Sequence, residues 1–186
     1  TQEGEPMYTI IGANGKERNT TLADARKHRF VPSVTGIIGV SSKPALEEWK
    51  IKEAIKSTMV LNIESDETID EYVKRCREHS KLVGQKSADR GSEIHYEIEQ
   101  GFVSDKESEP YLAIKDWLED NYPLETWIAE DSFCAKEGYG GKIDLYSESG
   151  IFVDFKTKDD LKGKDPRRLV YDEHGMQLSA YAQGCG

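Results

Sequence analysis

Apolar and polar residues alternate most regularly between Gly138 and Lys158, in GYGGKIDLYSESGIFVDFKTK. A period of two puts Ile143 and Leu145 on one side of a strand, with Lys142, Asp144 and Tyr146 on the other. In the next run Ile151, Val153 and Phe155 share a side, opposite Phe152, Asp154 and Lys156. A tight turn at Glu148-Ser149-Gly150 joins the runs as a hairpin and sets Asp144 directly across from Asp154. Phe152 and Phe155 make the second strand apolar on both sides, which predicts a central, buried strand. Leu124–Lys136 also alternates and predicts a strand leading into the hairpin. A shorter strand is expected at Met7–Gly12, before the turn signal Asn14-Gly15.

Elsewhere the period is helical. Pro44 precedes a predicted helix over Ala45–Asn62, striped by Leu46, Trp49, Ile51, Ile55 and Met59. Thr68 starts another that runs to about Val83, with Ile69, Tyr72, Val73 and Cys76 on one side. Ser87 is read as the cap of a third, which ends at Gln100. Pro110–Asn121 carries Tyr111, Ile114, Trp117 and Leu118 at helical spacing, and Glu173–Gly184 is a final helix. Two stretches stay open. Lys16–Arg29 is either loop or a short helix capped by Thr20 or Thr21. Phe30–Val40 is β-branched and apolar, with Ser33 as an alternative helix start. Asp159–Asp172 is a charged loop.

Length and composition narrow the class. The 186 residues suit one domain, with residues 1–85 as a strand and helical elaboration and 86–186 as the core. No apolar run has the length of a membrane span and no signal-peptide pattern opens the chain, so no membrane partner is expected. Cys76, Cys134 and Cys185 are scattered and odd in number, which points to a reducing, intracellular setting. A net charge of −10 argues against a general polyanion binder. Its distribution matters more. Lys16, Arg18, Arg26, Lys27, Arg29 and Lys43 cluster near the N-terminus, and Lys156, Lys158, Lys162, Lys164, Arg167 and Arg168 follow the hairpin. Basic segments on an acidic body grip a phosphate backbone as well as they make solvated loops.

The hairpin carries the chemistry. Opposed residues on one face of such a pair lie about 5 Å apart, and two carboxylates there repel unless a cation or a proton intervenes. Lys156 projects from the same face as Asp154. Two acids and a lysine on a sheet surface fit a divalent-metal site with an ammonium beside it, and also fit an ordinary cross-strand ion cluster. His95 and Glu99, four apart, point the same way from their helix, and Glu130 is either a third acid of the site or a surface residue. Gln177 and Tyr181 share a helix face, as surface polar groups or as a grip on a nucleotide.

In order along the chain stand Gly91-Ser92-Glu93-Ile94-His95, Gly141-Lys142-Ile143-Asp144, Val153-Asp154-Phe155-Lys156-Thr157 and the run QLSAY from Gln177 to Tyr181. This G-x-x-x-H, G-x-x-D, D-x-K, Q-x-x-x-Y series resembles the PD-(D/E)XK nuclease superfamily, within it the RecB-like group. Val31-Pro32-Ser33-Val34-Thr35 followed by Leu46-Glu47-Glu48-Trp49 is similar to the opening of exonucleases from phages and from mitochondrial genome maintenance. The resemblance implies an α/β (α+β) fold, a central mixed sheet flanked by helices. It implies His95, Asp144, Asp154 and the Phe155 carbonyl as ligands of Mg²⁺ or Mn²⁺, and Lys156 as the group that orients or deprotonates the attacking water. It also implies Gln177 and Tyr181 as substrate contacts. Some members carry a four-cysteine iron–sulfur cluster; the cysteine spacing here lacks that pattern, so none is expected. Members usually continue past the point where this chain stops, five residues after Tyr181, so an outer helix or clamp is expected to be missing.

Three readings follow. The first is a metal-dependent DNA exonuclease acting on single strands with a free end, with Lys162, Lys164, Arg167 and Arg168 on the phosphate backbone. The second is a non-catalytic nucleic-acid-binding module, and the third a structure-specific endonuclease on the same core.

Overall fold

Local signals build the N-terminal elements first. The computed structural model describes residues 9–41, 43–158 and 161–185; the expected strand residues Met7 and Tyr8 and the loop residues Asp159 and Asp160 lie outside them. Strands β1 (Thr9–Ile11) and β2 (Glu17–Asn19) pair antiparallel across the Asn14-Gly15 turn, where Gly15 takes a φ of 72°. Helix α1 (Leu22–His28) then starts at a capping box in which Thr21 and Asp24 exchange hydrogen bonds. Arg18 adds a bidentate grip on Asp24, at 2.7 and 2.8 Å. Ser33 caps the short helix α2 (Val34–Ile38) through the Gly36 N–H, so the apolar run there is helical.

The described residues contain six α-helices and two small antiparallel sheets, an α+β arrangement. They divide into two compact units. One takes the residues up to Ser41 together with those from His95 onward, and the other spans 42–94. The unit that holds the hairpin thus includes the N-terminal strands, which sequence grouped with the elaboration.

The 42–94 unit consists of α3 (Pro44–Val60) and the first part of α4 (Ile69–Ser104). Ser57 Oγ, fully buried, donates to the Glu53 carbonyl and lies 2.9 Å from His79 Nδ1. Tyr72 OH donates to the carbonyls of Thr58 and Leu61, which closes the end of α3. The expected stripe of α3 is not its buried side: Leu46, Ile51 and Ile55 are exposed, Met59 is 81% exposed, and Glu53 and Ser57 are buried instead.

Helix α4 corrects a second expectation, because it runs unbroken for 36 residues through the predicted gap before Ser87. Gly84 is the only weak helix former there and costs about 1 kcal/mol, too little to end a helix with no proline. The ring of Trp49 packs over it, 3.4 Å from where a Cβ would stand.

In the other unit, α5 (Glu109–Asn121) is capped by Ser108 and lays Tyr111 directly on Gly101 of α4. Trp117, on the expected apolar stripe of this helix, is 52% exposed and starts an edge-to-face series with Tyr122 and Trp127. Strands β3 (Trp127–Ala135), β4 (Tyr139–Ser147) and β5 (Phe152–Val153) form an antiparallel sheet in that order. The central strand is therefore β4, with Ile143 and Leu145 almost fully buried, and β5 is its short neighbour. Phe152 and Phe155 account for their apolar character differently: Phe152 stacks on Tyr146 and Phe155 meets the edge of His95. Helix α6 (Asp172–Cys185) packs on the sheet and on α2, and Val34, Ile143 and Tyr181 form the core between them. Gly141 permits this approach, since a Cβ there would fall 2.8 Å from the Tyr181 ring.

Candidate metal centre

The hairpin register brings the acids together. Leu145 pairs with Val153 and Tyr146 with Phe152, so the next step of the same register sets Asp144 opposite Asp154. On the other side Ala129 pairs with Leu145 and Asp131 with Ile143, which leaves Glu130 opposite Asp144. Glu130 on β3, Asp144 on β4 and Asp154 just past the end of β5 thus form one acid row, in which the charge of Asp144 acts on both of the others. Glu130 has a φ of 59°, in the left-handed region that a non-glycine residue in a strand rarely enters.

Each acid has a partner. Asp144 Oδ2 accepts the Phe155 N–H at 2.8 Å and lies 3.5 Å from His95 Nδ1. The chain past Val153 is therefore held to β4 by a side chain where the backbone ladder stops. Asp154 accepts from Gln177 Nε2 at 2.7 Å and pairs with Lys156. Glu130 pairs with Lys142. The Phe155 carbonyl, an expected ligand, is 3.5 Å from Lys156 Nζ.

Electrostatics mark the row as crowded with negative charge. Burial raises the pKa of Asp154, Lys156 opposes the shift and Asp144 adds to it. Burial likewise raises that of Glu130 against the pull of Lys142, and both Glu99 and Asp144 push it further. The charge of Glu99 thus reaches the row. His95 is raised by its hydrogen bond to Asp144, against its own burial. One group that sequence reading passed over belongs here. His174, in the first turn of α6, has its pKa lowered by burial and then by the Lys156 ammonium, while Asp154 acts in the opposite sense. Its signal was its place one turn before Gln177 on the same helix face.

The remaining expected residues fall into two groups. Gln177 is buried at 8% exposure and holds a carboxylate of the row; Tyr181, at 3%, is a core residue whose OH lies 2.6 Å from Gln177 Nε2. Neither is the surface polar residue that the alternative reading of this helix face expected. Lys162, Lys164, Arg167 and Arg168 are all exposed, on the loop and short 3₁₀ helix (Pro166–Leu169) between β5 and α6, with Arg167 paired to Asp165. Gly91 lies within α4, one turn before His95.

As a donor set, three neighbouring carboxylates and an imidazole fit a hard divalent cation, and the pKa values of Asp154 and Glu130 are raised first by burial and then by the neighbouring acids. Lys142 and Lys156 are the cations paired with these two acids here. Among the described residues, no three His, Cys, Asp or Glu side chains already converge at ion-holding distance. The described residues include no helix long and apolar enough to cross a membrane. No protein-family model, curated protein or solved structure matches the chain.

Proposed function

We propose that this chain is a metal-dependent nuclease of the PD-(D/E)XK kind that hydrolyses phosphodiester bonds of DNA from the ends of single strands. The observation that carries the reading is the closeness of Asp144 to Asp154, one step past the last paired residues of β4 and β5, with Lys156 paired to Asp154. In this reading α4, α6 and the three-stranded sheet are the nuclease core. Asp144, Asp154, His95 and the Phe155 carbonyl would hold Mg²⁺ or Mn²⁺, with Glu130 as a further acid and Glu99 behind it. When bound, the ion supplies charge neutralisation at the phosphate and a more acidic water. Lys156 Nζ, released from Asp154, orients the attacking water and donates to the phosphate oxygen that gains charge. Gln177 keeps the Asp154 carboxylate in place through its 2.7 Å hydrogen bond. Lys162, Lys164, Arg167 and Arg168 meet the strand's backbone. An acidic chain with local basic segments suits a flexible single strand better than a duplex, which needs a long basic face.

One observation favours a second reading. Glu130 and Asp154 each already hold a lysine, which leaves fewer free carboxylate oxygens for an ion and so suits a non-catalytic nucleic-acid-binding module. Both are tested together by incubating the protein and Mg²⁺ or Mn²⁺ with end-labelled linear DNA and covalently closed circles, single- and double-stranded. Rapid loss of linear single strands, abolished by EDTA, is expected. Binding without cleavage selects the second reading, and cutting of closed single-stranded circles selects an endonuclease.

A further inference from the structure

We propose that His174 is a substrate-binding residue of this site, its Nε2–H donating to a phosphate oxygen of the strand being cut. The inference rests on the nuclease reading above.

The tautomer follows from the ring's partners. His174 Nδ1 accepts the Tyr171 N–H at 3.4 Å, so the proton of the neutral ring sits on Nε2. Among the described residues Nε2 has no hydrogen-bond partner. Those residues also contain no buried side-chain nitrogen or oxygen left unpaired, so Nε2–H must reach solvent. A half-buried ring thus keeps one end fixed and turns its donor outward.

The position is also fixed. Gln177, one turn further along α6, is tied to Asp154, and the charges of both Asp154 and Lys156 act on the His174 ring. Tyr171 packs against the imidazole with ring centroids 5.4 Å apart. Lys158 in turn lies 4.0 Å over the Tyr171 ring and donates to the Leu169 carbonyl at 3.3 Å. Lys158, Tyr171 and His174 therefore brace one another beside the acid row. The charged groups acting on His174 are Lys156, Lys158, Asp154 and Glu173. A solvent-facing N–H donor near the Lys156 ammonium serves an anionic oxygen, whereas a purely packing role would be met by Nδ1 and the ring faces alone.

The test uses the whole chain. ¹⁵N correlation spectra of the wild-type histidines should show His174 with Nδ1 unprotonated and Nε2 protonated. Adding a phosphorothioate oligo-dT in Ca²⁺ should shift the Nε2 resonance. His174→Ala should lower kcat/KM on end-labelled oligo-dT by about 10- to 100-fold, the size expected for one hydrogen bond to a charged group. His174→Gln, which keeps an N–H donor, should recover most of that, and Mn²⁺ affinity by calorimetry should be unchanged in both. A wild-type protein that cleaves, with His174→Ala equally fast or Nδ1 protonated in the free protein, overturns the role of His174 alone. A wild-type protein that cleaves no DNA removes the nuclease reading and this role with it.

Discussion

Gln177 Nε2 lies 2.7 Å from Asp154 Oδ1, so helix α6 is fastened to the sheet through a carboxylate of the acid row. Its other contact, 2.6 Å to the Tyr181 OH, links that carboxylate to the core. Gln177→Ala leaves a largely buried carboxylate without its neutral donor, a loss of about 1–3 kcal/mol. The variant should melt lower than wild type and bind Mn²⁺ more weakly, with both effects visible before any DNA is added. Unchanged melting and metal binding with only a raised KM would return Gln177 to the role of a substrate contact.

Asp144→Asn and Asp154→Asn each take one charge from the facing pair. Calorimetry should show Mn²⁺ binding lost in both, while the metal-free proteins melt no lower than wild type, since like-charge repulsion is relieved. Lys156→Ala differs in kind. It should cut kcat by about 10²–10³-fold, the size of a lost transition-state donor, yet bind Mn²⁺ at least as well because a competing ammonium is gone. Weakened Mn²⁺ binding in Lys156→Ala would contradict that division of labour.

Gly101→Ala sets two effects against each other. In an open helix the change gains about 1 kcal/mol. Here the new Cβ would stand 2.1 Å from Cγ of Tyr111, and overpacking of that kind costs about 1–3 kcal/mol. The variant should lose stability in urea melts, and Tyr111→Leu in the same chain should restore part of it. A stabilised single variant would show that Tyr111 does not rest on that backbone.

Asp24 gives a pH dependence away from the site. The Arg18 guanidinium, then the Thr21 hydroxyl and N–H, hold its carboxyl well below the usual carboxylate range. A depressed folded-state pKa adds stability that is present above the unfolded value, near 4, and is lost as pH falls. Asp24→Asn should therefore melt lower than wild type at pH 7, and the gap should narrow below about pH 4. A gap that stays constant to pH 3 would mean the network is not charge-dependent.

The hairpin and its register were legible because a side-chain period of two leaves few pairings once Ser149 marks the turn. Capping was legible in part: Thr21 and Ser33, each open to a second reading in the sequence, sit where a hydroxyl meets orphan N–H groups, whereas the Ser108 cap emerges only from the structure. Periodicity failed at a different question. It tells which residues share a face, not whether anything covers it, and the stripes that hold Ile51, Ile55, Met59 and Trp117 leave these four exposed. The long helix was read as two because Ser87 resembles a cap, whereas a hydroxyl inside a continuous helix ends nothing. The pairing of Glu130 with Lys142 depends on contacts between elements, which no local pattern encodes, while His174 was marked only by its helical spacing from Gln177.

The left-handed backbone at Glu130 bears on how this position can drift between generations. From a glutamate codon, single-base changes reach aspartate, glycine, lysine, glutamine, alanine and valine. Of these, glycine and aspartate suit a positive φ, and a β-branched valine suits it least. Aspartate alone also keeps the carboxylate. A saturation library selected only for folding should therefore enrich glycine and asparagine at 130, and one selected for activity should retain glutamate and aspartate. Relatives diverging at this codon would follow the same narrow corridor, where backbone and chemistry filter substitutions separately.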